Sequence, residues 1–94
     1  MSLEEEYRLL VEAYYGVCEM DEYDLKEYVL SDLKEMINNF INEYKLDSLK
    51  GQNSFIKENT PIKTRLQSSL IVLNKDDKYM ELTLLIKKKL KSLR

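Results

Sequence analysis

Apolar residues recur at spacings of three and four in four runs, separated by polar stretches. In the first run, Leu3, Tyr7, Leu10, Val11, Tyr14 and Cys18 fall on one stripe of a helical projection, which predicts a helix over 3–17. The second and clearest run holds Leu25, Val29, Leu33, Met36, Ile37, Phe40 and Tyr44, flanked by Leu30 and Ile41, and predicts a helix over 24–46. Ile62, Leu66, Ser69, Leu70 and Leu73 make the inner stripe of a third helix over 61–74. Tyr79, Leu82, Ile86, Leu90 and Leu93 make that of a fourth over 77–93.

The ends of these runs carry local signals. Ser2-Leu3-Glu4-Glu5 reads as a capping box, and Glu4, Glu5 and Glu6 place negative charge at the positive end of the helix dipole. Gly16 marks the expected weakening of the first helix. Asp24 is read as the N-cap of the second, with Glu22 and Lys26 as a correctly oriented i,i+4 pair. The stretch LDSLKGQNSFIKEN, residues 46–59, reads as a loop, with Gly51 just past a helix end and Phe55 and Ile56 tucked under it. Thr60-Pro61 is read as N-cap and first helical residue of the third helix. Residues 74–77 interrupt the pattern and offer a fresh N-cap.

Two glycines and one proline in 94 residues leave little of the turn chemistry that a sandwich or barrel requires. The fold expected is therefore all-α, one domain over 1–94, built as a four-helix antiparallel bundle. A three-helix bundle with 61–93 as one bent helix is the alternative. No stretch reaches the ~18–20 apolar residues of a membrane span, the acidic start is unlike a signal peptide, and the lone Cys18 forms no internal disulfide. A cytoplasmic protein is expected.

Charge divides the chain. Residues 1–47 hold 13 acidic and 4 basic side chains, a net of −9, and residues 48–94 hold 4 acidic and 11 basic, a net of +7. Packing the acidic helices against the basic ones helps to select helix pairing. Six of the seven tyrosines lie in the acidic half, which would suit a basic protein partner.

Histidine is absent, which removes the commonest general base, the Ser-His and Cys-His pairs and every histidine-containing zinc site. The acids lie mostly off the apolar stripes, where solvent is expected, and the segment DEYD, residues 21–24, lacks the glycine and distal glutamate of a calcium loop. Cys18 sits on an apolar stripe with no activating partner in view. No catalytic residue, metal ligand or cofactor is expected, and no small-molecule substrate is implied.

What stands out is apolar surplus. The segment SSLIVLN, residues 68–74, is apolar almost all round, with Ile71 and Val72 pointing away from Leu66 and Leu70, and Leu84 and Leu85 repeat this in the last helix. Ile71, Val72, Leu84 and Leu85, together with Tyr15 and Tyr28, are the candidate partner interface. Lys87, Lys88, Lys91 and Arg94 form a candidate basic patch, although cations at a helix C-terminus also complement the dipole.

The function these features predict is a non-enzymatic interaction or regulatory module: an adaptor, inhibitor or small complex subunit whose partner is another protein or a second copy of itself. Nucleic-acid association through the basic last helix is an alternative. It has no recognition motif or stacking aromatic to support it, and the acidic half opposes it. Membrane-surface binding is disfavoured because the core needs the apolar face of that helix. In length and expected four-helix architecture the chain is similar to small bacterial bacteriocin-immunity proteins, a likeness of architecture with no shared motif.

Overall fold

The computed structural model describes residues 2–93. Among them are five α-helices and no strand: α1 (Leu3–Cys18), α2 (Lys26–Tyr44), α3 (Asn53–Asn59), α4 (Ile62–Leu73) and α5 (Met80–Ser92). Two 3₁₀ turns, Asp47–Gln52 and Asp77–Tyr79, precede α3 and α5. The all-α class is as the periodicity predicts. The fifth helix arises where a loop was expected, because residues 53–59 close into two turns that bury Ile56 while leaving Phe55 outside.

The ends of the elements follow local chemistry in some places and packing in others. Ser2 caps α1 as expected, its hydroxyl accepting the Glu5 N–H at 3.2 Å. Asp24 does not cap α2. The preceding turns are instead anchored by Met20 and Tyr23, both buried in the core, so docking of a polar-looking connection sets where α2 begins. Lys26 pairs with Asp21 at 3.0 Å, not with Glu22. The end of α2 is closed by Lys45 in the left-handed conformation, φ 54°, with the Leu46 N–H reaching the Ile41 carbonyl at 3.0 Å. Gly51 lies inside the following 3₁₀ turn rather than at a helix end. The start of α4 is shifted by one residue from the expected cap, with Pro61 at the N-cap. Between α4 and α5, Asp76 accepts the Lys78 N–H at 3.0 Å, and the break makes them two helices rather than one bent one.

At the centre lies α1, which touches α2, α3 and α4, while α5 packs chiefly on α4. Gly16 does not end α1. It is the point where α1 and α4 come closest: a Cβ there would stand 2.1 Å from Ser69 Oγ and 2.3 Å from the Arg65 carbonyl oxygen. Around this contact runs a buried polar seam. Ser69 donates to the Ala13 carbonyl at 2.8 Å, Ser68 donates to Glu12 at 2.8 Å, and Arg65 pairs with Glu19 at 3.0 Å. From the Glu12–Ser68 contact to the Glu19–Arg65 pair, α1 advances while α4 retreats, so the two helices run antiparallel. Arg8 pairs with Glu12 from the other side at 2.9 Å, and Arg65 also donates to the Thr60 carbonyl at 3.1 Å. Among the described residues no buried side-chain polar atom lacks a partner. Glu12 is thus an exception to the expectation that the acids are solvated.

Two apolar clusters flank the seam. One joins the C-terminal half of α1 and the N-terminal half of α2 to Leu66, Leu73, Leu82 and Ile86. The other joins Tyr7 and Val11 to Ile37, Ile41, Leu49 and Ile56. In the second, the Tyr7 hydroxyl donates to the Asn53 side chain, tying α1 to α3. No helix among the described residues is long and apolar enough to cross a membrane.

The close approach at Gly16 makes a sharp test. Gly16→Ala gains helix propensity of ~1 kcal/mol but forces its methyl into α4 backbone, so a net loss of about 2 kcal/mol is expected in urea denaturation. Gly51→Ala, with nothing within 4 Å of the new methyl, is expected to be neutral or slightly stabilising in the same assay. Lys45→Gly relieves a left-handed non-glycine residue and is expected to raise stability by about 0.5–1 kcal/mol.

Candidate functional site

An open groove of ≈ 500 Å³ runs along one side of the described structure. Its walls are Leu9 and Leu10 of α1, Met36 and Phe40 of α2, and Val72 and Tyr79 from the α4–α5 side, with Glu6, Lys75 and Asp76 also lining it. It exists because α2 packs extensively only on α1 and leaves the side toward the α4–α5 connection open. Leu10 and Phe40 rest on one core cluster, Val72 and Tyr79 belong to the other, and the groove lies between. Phe40 extends it by packing at 4.9 Å on the exposed ring of Tyr44.

One wall is fixed electrostatically. The Tyr79 hydroxyl donates to Asp32 at 2.7 Å, and Lys78 reaches the same carboxylate oxygen at 3.2 Å. The hydrogen bond from Tyr79 and the adjacent ammonium hold the Asp32 carboxyl below its usual range. Burial, reinforced by that same carboxylate, raises the Tyr79 phenol. Both groups therefore keep their neutral-pH forms, an ionised carboxylate and a protonated phenol.

The expected interface residues are dispersed over the surface. Val72 is half-buried and is the only one of the six that lines the groove. Ile71 is exposed on α4 and Leu84 on the outer side of α5. Leu85 is half-buried against the core and lines a shallow cleft with Glu22, Lys88, Lys89 and Ser92. Tyr15 sits elsewhere, edge-on to Tyr14 at 5.4 Å with the Lys57 ammonium 5.4 Å from its ring centre. Tyr28 is 74% exposed near the start of α2, beside Leu25. Of the basic residues, Lys87, Lys88 and Lys91 are exposed, and Arg94 lies outside the described residues. Lys89 is engaged internally, donating to the Glu19 carbonyl at 2.7 Å.

The groove itself was not read from the pattern. Leu9 falls off the apolar stripe of the first helix, and that surplus beside Leu10 was its one visible signal. Met36 and Phe40 look like ordinary core positions in sequence. Cys18 is half-buried, and burial pushes its thiol above the ordinary range, which disfavours the reactive thiolate. Among the described residues, no three Cys, Asp or Glu side chains gather where they could share a metal ion.

The Asp32–Tyr79 link has a pH signature. Because the folded-state pKa of Asp32 is depressed, its contribution is present above the unfolded carboxylate range and is lost as pH falls through the lower folded value. Asp32→Asn is expected to cost on the order of 1 kcal/mol near neutrality. That difference from wild type should shrink in melts taken below the ordinary carboxylate pKa of 3.8. Comparison with protein-family models, curated proteins and solved structures finds no match for this chain.

Proposed function

We propose that this protein is a non-enzymatic, cytoplasmic interaction module, an adaptor, inhibitor or complex subunit, that receives an apolar segment of a partner protein in the groove between α1, α2 and the α4–α5 connection. The observation that carries this reading is the groove itself. Six apolar or aromatic side chains from three parts of the chain converge to line it, a mostly apolar concave surface of the kind that takes an apolar segment. A trench between packed helices suits an amphipathic helix, whose apolar residues at i, i+3/i+4 and i+7 lie along it. Two of the three walls come from the acidic half, so basic residues flanking the inserted stripe would be favoured.

The non-enzymatic part of the reading rests on the sequence: no histidine, and a lone cysteine without an activating base. Nucleic-acid binding through Lys87, Lys88 and Lys91 is the alternative, and it would be recognised by binding to random duplex that falls steeply with salt.

The groove reading is tested with Leu9→Glu/Met36→Glu. Both side chains are partly exposed and outside the two core clusters, so stability should stay within about 1 kcal/mol of wild type. Affinity capture from the native host is then run in parallel with wild type and variant. A protein retained by wild type and reduced on the order of tenfold by the variant is the expected result. Identical captures from both would overturn the groove as the binding surface.

A further inference from the structure

A second surface, distinct from the groove except at Tyr79, carries its own pattern. On α5, Met80, Leu84, Lys87, Lys88 and Lys91 are all exposed and follow one another at helical spacing, forming a stripe that is apolar at its start and basic at its end. Leu84 is 58% exposed and Met80 57%. At the start of α2, Leu25 and Tyr28 are exposed among Glu22, Asp24 and Glu27. Among the described residues none of these three lysines or three acids enters an ion pair.

The two patches are neighbours held in fixed relation. Glu22 shares a cleft with Leu85 and Lys88 of α5. Leu25 and Tyr28 share another with Lys78 and Tyr79, just before α5. Lys89 fastens α5 to the Glu19 carbonyl at the end of α1, and Tyr79 fastens the preceding turn to Asp32 of α2. The apolar-acidic patch therefore adjoins the apolar-basic stripe at Glu22 and Lys88, and adjoins the turn that leads into it at Lys78 and Tyr79.

We infer that this face is a two-fold dimer interface, in which the Leu25/Tyr28 patch of one copy meets the Leu84/Lys88 stripe of the other, and the reverse contact forms across the axis. Two complementary patches beside each other are what an isologous contact requires, because one rotation satisfies both at once. The charges choose among occupants. Phosphate or an anionic bilayer would be drawn to Lys87, Lys88 and Lys91 but repelled by Glu22, Asp24 and Glu27, and would leave Leu84 and Tyr28 uncovered. A second copy supplies an opposite charge for each group and an apolar neighbour for each exposed side chain.

The test is sedimentation equilibrium of the full chain over a concentration series at low and high salt, with folding checked by circular dichroism. Wild type is expected to dimerise, more weakly at high salt. Lys87→Glu/Lys88→Glu/Lys91→Glu and Glu22→Lys/Asp24→Lys/Glu27→Lys should each be monomeric alone, and an equimolar mixture of the two should restore a heterodimer. Leu84→Glu, an exposed single change that spares the fold, should weaken association on the order of tenfold. Leu9→Glu/Met36→Glu should leave it intact, which separates failure of this interface from failure of the groove. A monomeric wild type, a mixture that stays monomeric, or a dimer broken by the groove variant and not by Leu84→Glu would each overturn the inference.

Discussion

The contact on which the structure depends is the near-touching of α1 and α4 backbone at Gly16. Without a side chain there, the Arg65 carbonyl and the Ser69 hydroxyl occupy the space a methyl would fill. That proximity brings Ser69 within reach of the Ala13 carbonyl, Ser68 within reach of Glu12, and Arg65 within reach of Glu19. Each is a buried or half-buried polar contact that is satisfied in one register and broken by a slip along the helix. Apolar packing alone would tolerate several registers of two amphipathic helices. The polar seam selects one, and the two apolar clusters then form on either side of a fixed pair.

The division of charge between the two halves of the chain is used only sparingly inside the molecule. Among the described residues three ion pairs join the halves: Lys50–Asp47 spans the boundary itself, Arg65–Glu19 reinforces the α1–α4 contact, and Lys78–Asp32 fastens α2 to the turn before α5. The other two, Arg8–Glu12 and Lys26–Asp21, lie within the acidic half and are local in sequence. Most of the opposing charge stays on the surface, where it orders encounters between molecules more than it stabilises one.

Periodicity made the long helices legible because each of α1, α2, α4 and α5 has an apolar stripe spanning several turns. Ser2 was legible because a cap is a local interaction. α3 was not, since seven residues with one buried side chain, Ile56, are too few to show a period. Met20 and Tyr23 were hidden by their acidic neighbours, although the core claims both. Gly16 read as a weak point because propensity is a property of one helix, whereas its role depends on a second helix about fifty residues away. Of the four surplus apolar residues, Ile71 and Leu84 are exposed, whereas Val72 and Leu85 are half-buried. Its division between a groove and a separate face was not legible, because a groove is a gap between elements and no single stripe encodes it.

The one-sided support of α2 has a dynamic consequence. A helix that leans mainly on one neighbour loses fewer contacts when it swings away than one wedged between two, so its opening costs less than global unfolding. The α1–α4 pair, locked by its polar seam, would stay assembled during such an excursion. That excursion is opposed at one wall of the trench, where Asp32 of α2 is held by Tyr79 and Lys78, so α2 swings away from the turn before α5 only if that link breaks.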